Sequence, residues 1–259
     1  MIYDIITYNG EVDLFEIRYN ILKDYVDEFR VIEFSETFSG KEKQPTFLYN
    51  QFIQAGKGKV KYSFIAEEQW LKYYDIALSS PNTQYGKGAE HWVREFAQKE
   101  SIKDCLQGIN DEDVVLIGDC DEIWQPNVAY IEKPAKLKLR VYSYYLNNRS
   151  NEEFYGTLVA TASDIRNNCL NHLRANAPKT EEELGWHFTS MGGSDTVKKK
   201  LTDSYTKETY ATDGVLDNLE DNIDNNRDFL GRNFEYRVDE SGWPQYLKDN
   251  KEKYKHLLK

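Results

Sequence analysis

The chain has 259 residues, with 33 Lys and Arg against 44 Asp and Glu, a formal charge of -11. That is the wrong sign for neutralising a phosphate backbone, so nucleic acid is excluded as a partner class. The length suits one α/β domain. No stretch approaches the about 18 apolar residues of a membrane span, no secretory leader is evident, and Cys105, Cys120 and Cys169 form no CxxC pair; the expectation is a cytoplasmic-type protein without a transmembrane segment, disulfide framework or zinc site.

Ile2 to Thr7 reads as a strand ending at the turn signal Tyr8-Asn9-Gly10, and Leu14, Ile17, Ile21, Leu22 and Tyr25 recur at helical spacing, with Glu16, Arg18 and Lys23 largely on other faces. Phe29 to Phe34 is the next strand, which completes a βαβ unit of a parallel sheet; ligands of such sheets gather beyond the carboxyl ends of the strands, where Asn9 and Glu33 stand. A polar loop, Ser35 to Gln44, holds Lys41 and Lys43, either solvated or in reach of a phosphate. A strand is expected over Val60–Ala66. A helix over Ala89–Lys99, introduced by Gly86-Lys87-Gly88, has Trp92, Val93 and Phe96 on its apolar stripe and Arg94 off it. Val114-Val115-Leu116-Ile117 is the unbroken β-branched-rich run of a central strand covered on both faces.

Leu137 to Leu146 alternates as a half-exposed strand, and Tyr155 to Thr161 is expected to pair with it across a turn at residues 147–151. Helical pattern follows Asp164, then a short strand over Gly185–Thr189, then a helix from Ser194 to about Tyr205. From Thr206 onward the chain is polar and Asn/Asp-rich, with Leu216, Leu219 and Ile223 at helical spacing and no sustained core pattern.

Asp119 and Asp121 flank Cys120 directly after the apolar run, so both carboxylates can emerge at a strand end. Such a pair can hold Mg²⁺ or Mn²⁺ and leave positions for diphosphate oxygens. The same spelling fits a phosphohydrolase of the haloacid-dehalogenase type, in which the first Asp attacks phosphorus and the second is the acid/base. That family normally has Thr or Val where this chain has Ile123. A third reading, a non-catalytic carbohydrate-binding protein, draws on the 14% aromatic content and 19 tyrosines.

Several ordered segments narrow the choice. Tyr8 to Arg18, Val31-Ile32-Glu33 with Thr37 to Lys41, Arg94-Glu95, Asp119 to Ile123, and Gly185 to Gly193 with Arg227 to Arg232 resemble glycosyltransferase family seventeen, the group that includes the enzyme adding bisecting N-acetylglucosamine. Thr206 and Asn226 depart from the pattern. The resemblance implies a GT-A-like α/β fold with a Rossmann-like mixed, mostly parallel central sheet flanked by helices. It also implies a UDP-N-acetylglucosamine donor, a glycan acceptor, a divalent metal and inversion at the anomeric carbon. On this reading residues 1–259 are one domain, with a nucleotide-sugar half over 1–123, an acceptor and metal side over 124–205 and a C-terminal extension over 206–259.

The expected roles follow. Asp121 is a direct metal ligand, Asp119 a metal or ribose partner, and His187 a completing ligand, a phosphate orienter or a structural histidine. Thr7, Tyr8, Asn9, Glu33 and Lys41 border the nucleotide sugar. Arg94, Arg227 and Arg232 are candidates for neutralising the departing UDP. Trp124 and Trp186 are candidates for a sugar-stacking acceptor platform. Inversion needs a carboxylate base, for which Asp195 is first choice and Glu208 second.

Overall fold

The computed structural model describes residues 1–47, 58–79, 90–204 and 210–259. The Gly86-Lys87-Gly88 stretch and Glu208 lie outside the described residues. Among these residues ten strands form one mixed sheet. Four are mutually parallel: β1 (Ile2–Thr7) lies between β2 (Glu28–Phe34) and β4 (Val114–Asp119), and β3 (Val60–Ile65) extends β2 outward. On the other side of β4 the sheet turns antiparallel through β8 (Phe154–Thr161) and β6 (Ala135–Ser143), then β7 (Asn148–Ser150) and β10 (Tyr236–Val238). β9 (Lys179–Thr189) runs parallel to β6 and carries the short β5 (Glu122–Trp124). This is the expected α/β architecture, with its parallel part in the N-terminal half.

The period-two geometry of the strands divides their apolar side chains between two cores. Ile6, Phe29, Val31 and Leu116 face α1 (Val12–Leu22), whereas Tyr3, Ile5, Ile32, Val115 and Ile117 face the opposite side. That side is covered by the short α2 (Glu67–Leu71) and α3 (Tyr74–Ser79), by α4 (Glu90–Ser101), and by α5 (Ala162–Asn167) with α6 (Leu170–Asn176). Each fully buried aliphatic or aromatic side chain contributes about 1.5–3 kcal/mol of transfer free energy, so double coverage is what makes a continuous apolar strand stable.

Three expectations change. Residues 148–150 are not a plain turn but a strand, since Arg149 pairs with Tyr142 and with Arg237. The short strand expected at Gly185–Thr189 is the end of an eleven-residue strand. The segment after Thr206, expected to lack a sustained core pattern, does contribute to a third core: Val197 and Leu201 of α7 (Gly193–Ser204) pack with Leu219 and Ile223 of α8 (Asp213–Asp224). Beyond α9 (Gln245–Asp249), Tyr254 and Leu257 join Trp243 and Leu247 in the α1 core.

Candidate functional site

In an open parallel sheet, ligands bind outside the carboxyl ends of the strands where the strand order reverses, here between β1 and β4. Thr7 and Asp119 end those two strands and are direct register partners. The Thr7 hydroxyl donates to Asp119 Oδ1 at 2.5 Å. On the same face, Lys99 in the last turn of α4 places its ammonium 3.1 Å from Asp119 Oδ2 and 3.1 Å from Glu95. Burial works against the Asp119 charge, but Lys99 and Arg174 more than offset it and hold the carboxyl at about 2.

Cys120 points into the α1 core, so the two aspartates flanking it open the other way, into the site. After this turn β5 pairs with β9, which sets Glu122 opposite His187. Lys200 of α7 donates to Asp121 Oδ2 at 3.1 Å and to the Thr189 hydroxyl at 3.2 Å, while His187 Nε2 lies 3.6 Å from the same carboxylate oxygen. Burial resists ionisation of Asp121 as well, yet Lys200 and then His187 keep its carboxyl well below the usual range. His187 stacks on Phe154 with centroids 3.9 Å apart, and its buried Nδ1 has no hydrogen-bond partner among the described residues.

The backbone of the acidic motif is held from below. Arg18, fully buried, pairs with Asp4 through Nε and Nη2 at 2.7 and 2.6 Å. Its Nη1 donates to the carbonyls of Asp119 at 3.2 Å and Glu122 at 2.5 Å. Two glycines make room for the Glu122 carboxyl: a Cβ on Gly118 would come within 2.6 Å of Oε2, and one on Gly156 within 2.7 Å of the carboxyl carbon.

Above the motif opens a cavity of about 450 Å³, within the range of small-molecule sites. Of the residues expected from sequence it gathers Thr7, Tyr8, Asn9, Asp119, Asp121, His187 and Arg232. The Tyr8 hydroxyl is buried there without a hydrogen-bond partner among the described residues.

The others stand elsewhere. Glu33 is fully buried, and its carboxylate is taken up by Thr46, the Phe47 amide, Tyr62 and Lys43. In this structure it clamps the strand end and is not among the lining residues of the cavity. Trp124 is fully buried, with its indole N–H on Asp4, and Trp186 is buried with its indole N–H on the Gly242 carbonyl. Neither offers a face to a sugar. Lys41 pairs with Asp203, Arg94 with Glu36 and Arg227 with Asp221; none of the three cations is a lining residue, although Asp203 and Glu36 are. Asp195 is exposed in the first turn of α7 and also lies outside the lining.

Lys99 and Lys200, which bracket the acidic pair, were not expected. Both lie beside apolar stripes: Lys99 is three residues after Phe96, and Lys200 is three after Val197 and next to Leu201. A cation on the flank of a buried stripe was the available signal. Arg18 was placed on an outer face, yet it sits four residues from both Leu14 and Leu22 in the buried face of α1.

A divalent cation fits this donor set in a limited way. Among the described residues no group of three or more His, Cys, Asp and Glu is arranged to hold a metal ion. Asp121 and the adjacent His187 offer a carboxylate and an imidazole at the cavity floor. Mg²⁺-type sites are commonly built from one or two protein ligands, with substrate phosphate oxygens and water supplying the rest.

Paired aspartates at a strand end, under a cavity of small-ligand size, suit transfer from a diphosphate-linked substrate, and comparison with known proteins gives the class as glycosyltransferase. The profile described as Glycosyltransferase family 17 matches residues 1–189, and the chain belongs to that family. No curated protein matches it. Among solved structures it is similar to mouse Xyloside xylosyltransferase 1 in the apo form, with 8% identity over 67% of this chain and 73% of that chain and a TM-score of 0.32. The family match ends at Thr189, whereas Val197, Lys200, Leu201, Tyr210, Phe229 and Arg232 also line the cavity.

Proposed function

We propose that this glycosyltransferase is inverting and metal-assisted, and moves a sugar, N-acetylglucosamine by family resemblance, from a UDP-sugar to a glycan hydroxyl. The observation that carries the reading is the placement of Asp119 and Asp121 at the β1–β4 switch point, opening on the cavity. In the transfer the acceptor oxygen forms a bond to the anomeric carbon, and the bond from that carbon to the diphosphate oxygen breaks. The electron pair leaves with UDP, and the acceptor proton passes to a base. A bound divalent cation would supply positive charge to the departing diphosphate. Asp121 and His187 would hold it, Asp119 would border the ribose or the cation, and the Tyr8 hydroxyl would bond a polar group of the donor. The proposed halves, residues 1–123 for the nucleotide sugar and 124–205 for the acceptor and metal side, share this one cavity. Three free cysteines suit a reducing compartment.

The test is calorimetric titration with UDP, with and without Mn²⁺, followed by incubation with UDP-N-acetylglucosamine and an acceptor panel, with the anomeric configuration of the product read by NMR. Metal-dependent UDP binding that is lost in Asp121→Asn supports the reading. Release of inorganic phosphate without glycoside formation would instead indicate a hydrolase, and UDP binding unaffected by metal would remove the metal from the site.

A further inference from the structure

We propose that Lys200 is the residue that grips the donor's diphosphate, exchanging its contact with Asp121 for an anionic phosphate oxygen when the donor enters. The proposal rests on reading the cavity as a nucleotide-sugar site and goes beyond it by naming the protein group that meets the leaving group.

Among the described residues, three cations line the cavity: Lys43, Arg232 and Lys200. Lys43 is tied to Asn9 and to the fully buried Glu33. Arg232 is committed to Asp228, which is 1% exposed, through Nε at 3.0 Å and Nη2 at 2.7 Å, with Glu152 on its third nitrogen at 3.3 Å. Removing either cation from its partners would strand a buried carboxylate, which is costly; Asp121 is buried too, but the divalent cation it is proposed to hold would replace the charge of Lys200 there. Lys99 is 8% exposed and locked between Glu95 and Asp119, away from the lining.

Lys200 differs in position. Its side chain is 39% exposed, it lines the cavity, and its ammonium rests on the very aspartate the motif presents to the diphosphate. Lysine binds phosphate as a point charge on a flexible stem, so a short shift of Nζ changes its partner without moving the helix. The helix itself is fixed. Val197 and Leu201 are buried in the third core, and the Ser39 amide and hydroxyl bond the carbonyls of Asp203 at 3.0 Å and Thr202 at 3.2 Å. Lys200 also lies beyond the segment matched by the family profile, so α7 completes the donor site from outside it.

The experiment is titration of the full chain with UDP and with uridine in the presence of Mg²⁺, for the wild type, Lys200→Gln, Lys200→Arg and Lys198→Gln, each checked for folding by its thermal midpoint. Loss of one charge-assisted contact is expected to weaken UDP binding about tenfold or more in Lys200→Gln, with uridine binding unchanged. Lys200→Arg keeps UDP binding within about threefold, and Lys198→Gln, an exposed neighbour, matches the wild type. If the wild type binds UDP and Lys200→Gln binds it equally well, or loses UDP and uridine alike, the role of Lys200 is overturned while the nucleotide-sugar reading stands. If the wild type binds neither, both fall.

Discussion

Arg18 and Asp4 are both fully buried and hydrogen-bonded, and the Arg18 guanidinium also holds two carbonyls of the acidic motif. Removing one member of such a pair leaves an uncompensated charge, so Arg18→Met is expected to cost about 3–5 kcal/mol in urea unfolding and to weaken UDP binding below its melting temperature. Glu33 gives a pH-dependent counterpart. Burial opposes its charge, but Thr46, Tyr62 and Lys43 outweigh this, and its pKa is lowered. A depressed folded pKa stabilises fully above the unfolded value of roughly 4.3 and loses that contribution as pH falls through the folded value. Glu33→Gln should therefore destabilise by about 1–3 kcal/mol at pH 7 and by distinctly less at pH 3; equal losses at both would refute the assignment. Asp195→Asn, on an exposed first turn outside the cavity, is expected to leave transfer near the wild-type rate. At this scale Asp119, Asp121 and His187, singled out from the sequence, come together in the lining of one cavity, because an acidic pair directly after an apolar run emerges at the strand end. It could not reveal that Trp124 and Glu33 are buried, since tryptophan and glutamate serve cores and sites alike until their neighbours are known.

The strands around the motif depend on what they lack. Gly118 on β4 and Gly156 on β8 leave space for the Glu122 carboxyl, and a Cβ on Gly118 would also stand 2.7 Å from the Thr157 hydroxyl. Gly118→Ala is expected to destabilise by about 1–3 kcal/mol through overpacking and, by displacing the residue next to Asp121, to lower UDP affinity measured calorimetrically; an unchanged midpoint and affinity would sink this account. Most elements were readable from their period. β1, β2 and β4 are buried on both faces and keep their apolar runs there, although β1 carries Asp4 and β2 carries Arg30 and Glu33, and α1 and α4 carry their stripes openly. The residues forming β7 were not, because Asn147 to Asn151 has turn chemistry and pairing with distant residues 236–238 overrides it. The length of β9 was hidden for a related reason: its first half is rich in glutamate and lies largely outside the core.

Across the whole molecule the cavity draws on residues from Thr7 to Arg232, so no single stretch of chain contains it. The matched family region supplies the acidic motif, and α7 with the residues after α8 supplies further lining residues, among them Lys200 beside Asp121. Apart from the family-like stretch 227–232, which holds Arg232, the composition after Thr206 gave no sign of this, since its few apolar residues are scattered and acquire meaning only against a partner surface. Trp243 shows the dependence: it is buried, and its indole N–H donates to the Leu146 carbonyl at 2.7 Å. Trp243→Ala is expected to cost roughly 3–5 kcal/mol in urea unfolding although it lies outside the cavity lining. The same packing has a consequence for the chain as it is made. The outer side of α1 is closed by residues near the far end: His256 bonds Asp13 at 2.8 Å, Lys253 pairs with Glu16, and Tyr254 and Leu257 complete the core. At synthesis rates of about 5–20 residues per second, these partners leave the ribosome on the order of ten to fifty seconds after α1. Throughout that interval the helix has an uncovered apolar flank, making the nascent chain a client for whatever shields such surfaces in the cell.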